Sequence, residues 1–389
     1  MLRQISLTIR SLQKNKEVKR TLTKFGQWKA EIAAMQSTAP KAKKLLLIRL
    51  DDIGDYLLFR DTLATYKQSP RWEGYEITLL GYTLWKDLFE MADTASVDKT
   101  IWINKHECFA NPDFFRGICQ NLRNEGFSVV ICPSRIRPLL LDDLFMLAAD
   151  TPLNIGSGND FSNKELNIAS DKLYQELYAD EIMNHEFLFN KAFATWCNKV
   201  AIDTGRLTFP IPAAPSPSPQ PYVLCFVGAS VQSRRWPAER WIEFVKLCNA
   251  AGKKLIIAGG KNDLPVAETI IAATSVESIT GKVSLPEMVN WIAHAQTTIT
   301  NDTMASHLSV ALARPTVVIA SGDNFFKFSE YKAAGIKGVI TLYPAVFLKK
   351  WAKRNHLNFK NHIAVTNDIA SIPATEVFAA LNTVLQDKI

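Results

Sequence analysis

Residues 45–50, Leu-Leu-Leu-Ile-Arg-Leu, have the length and apolar content of a buried strand, and the run stops at Asp51-Asp52-Ile53-Gly54-Asp55. A helical pattern follows at once, with apolar residues at Leu57, Leu58, Leu63 and Tyr66. A strand that ends in a glycine turn and feeds a helix is the opening unit of a doubly wound α/β sheet, and its turn lies at the carboxyl edge where such sheets bind ligands. Asp55 falls at the helix start, where the helix dipole accounts for one acid. Three acids, Asp51, Asp52 and Asp55, are more than the dipole explains.

A second turn of this kind lies far downstream. Residues 297–300 read as a β-branched strand that breaks into Asn301-Asp302-Thr303, and a helix opens at Met304. With Asp302 or Thr303 as its cap, the free amides of the first turn and the positive end of the dipole suit a diphosphate. A capped helix that binds nothing would show the same residues. The presence of two such turns, one in each half of the chain, favours a ligand site.

Strand and helix alternate throughout, which predicts parallel sheets with right-handed crossovers. Strands are expected at 45–50, 76–81, 99–103 and 128–132, with helices at 84–91 and 113–125. The run from Phe209, Phe-Pro-Ile-Pro-Ala-Ala-Pro-Ser-Pro-Ser-Pro-Gln-Pro, reads as a semi-rigid linker. Beyond it come strands at 222–227, 254–258, 297–300 and 316–320, and helices at 237–250, 264–273, 285–294 and 304–313. The chain is thus expected to hold an N-terminal extension (1–42), a Rossmann-like domain (43–210), a linker (211–220) and a second Rossmann-like domain (221–389), with a cleft between the two domains. The last helix is expected to pack on its own domain or back on the first.

The 389 residues, 47% of them hydrophobic, suffice for two cores. No run reaches the roughly 18 apolar residues of a membrane span, and the N-terminus lacks a signal peptide's apolar centre, so a cytoplasmic protein is expected. Six scattered cysteines without CxxC spacing read as reduced core residues, with no metal site. The net charge of +7 is concentrated at one end. Eleven Lys/Arg against Glu17 and Glu31 fall within residues 1–44, and the remainder is slightly acidic. There Val18, Leu22, Phe25, Trp28, Ile32 and Met35 recur at helical spacing among basic residues. Such a helix either lies on an anionic membrane surface, on the inner face of the cytoplasmic membrane, or packs its stripe on its own domain. Nucleic acid is not expected as a partner, because the charge is confined to this segment and no nucleic-acid motif follows.

The second half carries further anion chemistry. Gly228-Ala229-Ser230 ends its first strand, and Arg234-Arg235-Trp236-Pro237 leads into the next helix, so two guanidiniums at the sheet edge suit a diphosphate clamp. Gly259-Gly260-Lys261-Asn262-Asp263 closes the next strand where a Rossmann-like unit meets a ribose. Neither GxGxxG nor GxxxxGK[ST] occurs, which argues against a dinucleotide redox enzyme and a P-loop ATPase.

In order and placement, RLDDIGDYLLFRDTL, GASVQSRRWPAERW, IAGGKND and TNDTMASHLSVALARPTVV resemble glycosyltransferase family 9, the lipopolysaccharide heptosyltransferases and their relatives, over residues 43–320. The resemblance implies a GT-B fold, with the acceptor on the N-terminal domain and a nucleotide-sugar donor on the C-terminal one. It also implies inverting, metal-independent transfer of a heptose-like sugar from an ADP-linked donor, with no cofactor, to a lipopolysaccharide-core or related glycan. Asp55 then matches the general base and Gly54 the acceptor-side loop. Ser230 and Arg234 face the donor phosphates, Asp263 the ribose, and Asp302, Thr303 and His307, on exposed first turns, the diphosphate and sugar. Three positions depart from the family pattern: Met304 replaces a common glycine, Asp61 a usual proline, and Ala320-Ser321-Gly322-Asp323 a usual glycine-proline-threonine. Two other functions stay open, a sugar-nucleotide isomerase on the same fold and a non-catalytic, membrane-tethered nucleotide-sugar-binding protein.

Overall fold

The computed structural model of the chain describes residues 2–40, 43–159, 163–179, 185–202, 206–352 and 368–386, with side chains from residue 15 onward. The expected boundary at 42, the side chains of Arg3, Arg10 and Lys14, and residues 387–389 lie outside the described residues.

Two six-stranded parallel sheets organise these residues. The first comprises β1 (Lys44–Arg49), β2 (Glu76–Tyr82), β3 (Lys99–Ile103), β4 (Val129–Cys132), β5 (Leu153–Ser157) and β6 (Glu176–Tyr178), in the order β3-β2-β1-β4-β5-β6. The second comprises β7 (Val223–Phe226), β8 (Leu255–Ala258), β9 (Glu277–Ser278), β10 (Thr297–Asn301), β11 (Thr316–Ile319) and β12 (Val339–Leu342), in the order β12-β11-β10-β7-β8-β9. Each sheet grows outward on both sides of its first strand, so each has a switch point, at β1/β4 and at β7/β10, where the connections leave in opposite directions and open a crevice. The central strands are buried on both faces, which is why they read as continuous apolar runs. The sequence reading did not extend to β5, β6, β9 and β12. They lie at or next to the sheet edges, and β6 and β9 are very short.

The two domains meet through their helices. Ile53–Phe59, which follows β1, packs on Met304–Ala311, which follows β10, and one apolar cluster runs from Tyr56, Leu57 and Leu58 through to Leu308 and Tyr331. The crossover is tied at both ends. Asp61 accepts hydrogen bonds from the backbone N–H (2.9 Å) and hydroxyl (2.7 Å) of Thr208, and the Phe209 N–H donates to the Ala311 carbonyl at 2.8 Å. That contact gives Asp61, in place of proline, a structural use. The Pro/Ser segment then lies along the second domain, where Asn290 donates to the Pro215 carbonyl and Lys254 to the Ser218 hydroxyl.

Two alternatives are decided by packing. The final helix, Ala374–Gln386, buries Val377, Leu381 and Val384 against Ala238–Ala250 and the second sheet, and not on the first domain. The N-terminal helix, Leu2–Ala33, turns its stripe inward: Val18, Phe25 and Ile32 are buried, and Leu22, Trp28 and Met35 pack beside them on the first domain. That apolar face is therefore unavailable to lipid, while Lys16, Lys19, Arg20, Lys24 and Lys29 stay exposed. Among the described residues no helix is long and apolar enough to cross a membrane, and all six cysteines are buried and unpaired. Truncating the fully buried Ile32 to alanine is expected to cost about 2–4 kcal/mol in urea unfolding, whereas Lys29→Ala should change stability by less than about 0.5 kcal/mol.

Candidate active site

A cleft of about 770 Å³ opens between the carboxyl edges of the two sheets. One wall is the β1 turn, with Asp52, Ile53, Gly54 and Asp55. The other is built from the turns after β7, β8 and β10, with Ser230, Arg234, Asp263, Asp302, Thr303, Met304 and His307. All eight candidate residues, Gly54 and Asp55 included, line this one space.

Asp55 sits half-buried in the first helical turn, and its carboxylate has no hydrogen bond or ion pair among the described residues. Burial in the cleft, reinforced by the negative charges of Asp51 and Glu186, pushes it up from an ordinary 3.8 to about 7, although Lys327 and Arg49 work in the opposite direction. Its neighbours are satisfied. Asp51 takes a 2.8 Å hydrogen bond from Arg49 Nε, and the exposed Asp52 pairs with Lys105 at 2.8 Å. Arg49 is itself fully buried over the Phe59 ring, donates to Asn190 at 3.2 Å and reaches the Asp55 carbonyl at 3.4 Å. It anchors the turn to the helix Glu186–Asn198.

Gly54 packs directly against the second domain. A Cβ there would stand 3.0 Å from His307 Cδ2, closer than nearly all real side chains tolerate. The expectation that His307 is exposed fails for the same reason: the helix it opens is pressed against the first domain, leaving the ring 4% accessible. Burial holds its pKa down at about 3, so the imidazole is neutral, and Nδ1 lies 2.6 Å from the Tyr331 hydroxyl. His307 therefore presents a ring edge to the cleft and carries no charge to a phosphate.

Thr303, not Asp302, caps the Met304–Ala311 helix, its hydroxyl accepting from the Ala305 amide at 3.3 Å. Asp302 is 3% exposed and accepts from Ser329 Oγ (3.0 Å) and Asn324 Nδ2 (3.2 Å). Burial raises its pKa, and Arg234 is the main charge opposing that rise. The arginine pair divides. Arg235 donates from Nε to the Ala229 carbonyl at 2.7 Å, while the buried Nε of Arg234 has no partner and the side chain lines the cleft beside Asp302. Asp263 folds back on its own turn, accepting from the Gly260 amide at 2.9 Å, and its carboxylate fills the space a side chain at Gly228 would need: a Cβ there would lie 1.9 Å from Oδ1. Ser230 stays exposed on the rim, and Met304, half-buried, packs at the helix start.

Sequence reading missed the residues that hold these groups. Asn301, fully buried, donates to the carbonyls of Val227 (2.9 Å) and Gly228 (3.1 Å) and accepts from the Trp236 amide, binding the β7 and β10 turns together. The signal was available: a strand ending in an amide side chain between two glycine-bearing turns. Among the described residues no group of three or more His, Cys, Asp or Glu is arranged to hold a metal.

Comparison with known proteins follows the same line. The model of glycosyltransferase family 9 (heptosyltransferase) matches residues 144–322. Over that stretch, a little under half of its length, the chain is similar to this family. It is similar to lipooligosaccharide heptosyltransferase 2 of Haemophilus influenzae, 28% identical over 93 residues (22% of this chain and 27% of that protein). It is also similar to lipopolysaccharide heptosyltransferase 2 of Escherichia coli K12, 29% identical over 122 residues (29% of this chain and 35% of that protein). The chain thus spans about a third of the length of the curated relatives it matches. In three dimensions it superposes on a family 9 glycosyl transferase from Veillonella parvula with a TM-score of 0.67 at 17% identity, covering 91% of this chain and all of that one. On the E. coli heptosyltransferase WaaC with ADP the TM-score is 0.65 at 15% identity, covering 88% and 99%. The two-domain α/β fold is therefore shared over most of this chain.

The unpartnered carboxylate carries a stability consequence. Because folding raises the pKa of Asp55, the folded protein is penalised as pH climbs from about 4 to about 7 and remains so above that range. Asp55→Asn is expected to melt several degrees above the wild type at pH 8, with the gain gone below pH ~4. Thermal melts at the two pH values check this.

Proposed function

We propose that this protein is an inverting glycosyltransferase that moves a heptose-like sugar from a nucleoside-diphosphate donor to a hydroxyl of a lipopolysaccharide-core or related glycan. The observation that carries the reading is the Asp55 carboxylate: partner-free, tuned to about 7, and facing the Arg234–Asp302–Thr303 wall across a single cleft. A base poised near neutral pH takes a proton most effectively from an attacking alcohol. The donor's diphosphate occupies the start of the Met304–Ala311 helix, where the positive end of the helix dipole and the unpartnered Arg234 Nε supply positive charge. Asp55 deprotonates the acceptor hydroxyl as its oxygen attacks the anomeric carbon from the face opposite the departing diphosphate, so the configuration inverts. Charge growing on the leaving phosphate is met by Arg234 and the helix N-terminus without a divalent metal. The ADP and ADP-2-deoxy-2-fluoro heptose bound in solved structures of the E. coli heptosyltransferase WaaC, at 15% identity, support an ADP-linked donor.

Asp55→Ala is expected to lower turnover by about 10²–10⁴-fold while donor affinity, measured by calorimetry, changes by less than about threefold. Arg234→Ala should weaken donor binding by roughly 10–100-fold. Wild-type turnover in Asp55→Ala would remove the base. Because the base acts when ionised, kcat/KM should rise with pH through about 7 and then level off.

The protein works at an anionic membrane surface in this reading, and the exposed Lys19, Arg20 and Lys24 on the N-terminal helix support that placement. The triple variant Lys19→Glu/Arg20→Glu/Lys24→Glu is expected to bind phosphatidylglycerol vesicles about tenfold or more weakly with its melting temperature unchanged. Equal vesicle binding would contradict the placement.

A further inference from the structure

After β11 the chain passes through a strap, residues 324–331, that includes a π-helical turn, Phe325–Ser329. Such turns are uncommon and concentrate at functional sites. The strap ends against the Met304–Ala311 helix. There the fully buried Tyr331 sets its hydroxyl between two residues of the first helical turn, 3.0 Å from Ser306 Oγ and 2.6 Å from His307 Nδ1. Ser306 Oγ lies in turn 2.7 Å from the Thr303 carbonyl.

Counting protons along this row fixes which nitrogen of His307 carries one. The Thr303 carbonyl can only accept, so the Ser306 hydroxyl donates to it. Ser306 then has no proton to give Tyr331, and the 3.0 Å contact between the two side-chain oxygens is a hydrogen bond only if Tyr331 donates. With the tyrosine proton used there, the 2.6 Å contact is filled by a proton on His307 Nδ1. The imidazole is neutral, held at about 3 by burial, so Nε2 is a bare acceptor. Nε2 has no hydrogen-bond partner among the described residues, and the ring lines the cleft. A Cβ at position 54 would stand 3.5 Å from Nε2, so the glycine leaves that edge of the ring uncovered. His185, which touches the same strap from the first domain, is the opposite tautomer. Its Nδ1 accepts from the Phe187 amide at 3.3 Å, and its Nε2 donates to the Phe328 carbonyl at 3.0 Å.

We propose that Tyr331 is a positioning residue: its hydroxyl, committed to Ser306, keeps the His307 proton on Nδ1, so that a bare Nε2 faces the cleft and accepts a hydrogen bond from a hydroxyl of the donor's sugar. This rests on the reading of the cleft as a nucleotide-sugar site. A diphosphate at neutral pH offers only acceptor oxygens, which a nitrogen lone pair repels, so the phosphates belong with Arg234 and the helix start. A sugar offers hydroxyl protons. His307 stands in the first turn of the helix whose start takes the diphosphate, and the sugar joined to that diphosphate is therefore the group within its reach.

With ¹⁵N-histidine incorporated throughout, long-range ¹H–¹⁵N correlation spectra at neutral pH separate the two neutral tautomers, and the His307 signals are assigned by their loss in His307→Gln. His185 is the internal reference for a proton on Nε2. Wild-type His307 is expected with its proton on Nδ1. Ser306→Ala frees the tyrosine proton for Nδ1, and Tyr331→Phe leaves an Nδ1 proton without an acceptor, so in both variants the proton is expected on Nε2. A wild-type proton on Nε2 overturns the proposal. An unmoved signature in Ser306→Ala does so too, and that variant keeps the readout if Tyr331→Phe does not fold. Accepting a hydrogen bond moves the resonance of a bare imidazole nitrogen upfield, which reads the ligand directly. Adding ADP-heptose to the wild type is expected to shift the Nε2 signal upfield, and adding ADP to leave it in place. No shift with ADP-heptose, or an equal shift with ADP, overturns the sugar contact. Failure of the wild type to bind either ligand in calorimetry would instead sink the donor reading, with the ligand-free spectra unaffected.

Discussion

The geometry of this protein depends on one contact, the packing of the Ile53–Phe59 helix on the Met304–Ala311 helix with Gly54 against the His307 ring. Each helix begins at the switch point of its own sheet, so bringing their first turns together brings the two crevices together. The contact is apolar and continuous with both cores, which fixes the separation of the walls more firmly than surface ion pairs would. A side chain at position 54 would push the walls apart. The neutral, hydrogen-bonded His307 forms the unyielding partner surface.

Two carboxylates share the resulting cleft and are set apart by their surroundings. Asp302 is buried but accepts hydrogen bonds from Asn324 and Ser329 and faces Arg234, so it organises the donor wall. Asp55 is similarly desolvated, lies near Asp51 and Glu186, and has no donor of its own. Leaving it so costs stability, and a group left destabilised inside a cleft is what a reaction needing a neutral-pH base calls for.

Much of this was legible in the sequence because the signals are local. A strand followed by a glycine and an acid fixed the β1 turn, and the polar break after β10 marked the anion-suited helix, so Asp55, Arg234 and Thr303 fell where expected. What could not be read depends on contacts between distant segments. His307 looked exposed because a helix start usually is, and only the packing of the other domain buries it. Asp302 was a candidate cap until Asn324 and Ser329 arrived from a strap with no regular periodicity. The basic N-terminal helix was ambiguous for a related reason: its stripe fits a membrane or a protein equally well, and the partner surface is assembled from the helices Pro112–Glu125 and Asp142–Ala149.

The most direct test of the account is a crystal structure with an unreactive ADP-sugar analogue bound. The diphosphate is expected at the start of the Met304–Ala311 helix with Arg234 beside it, and the anomeric carbon should turn the face opposite the phosphate toward the Asp55 carboxylate. A diphosphate bound away from that helix start, or an Asp55 carboxylate on the leaving-group side of the sugar, would contradict it.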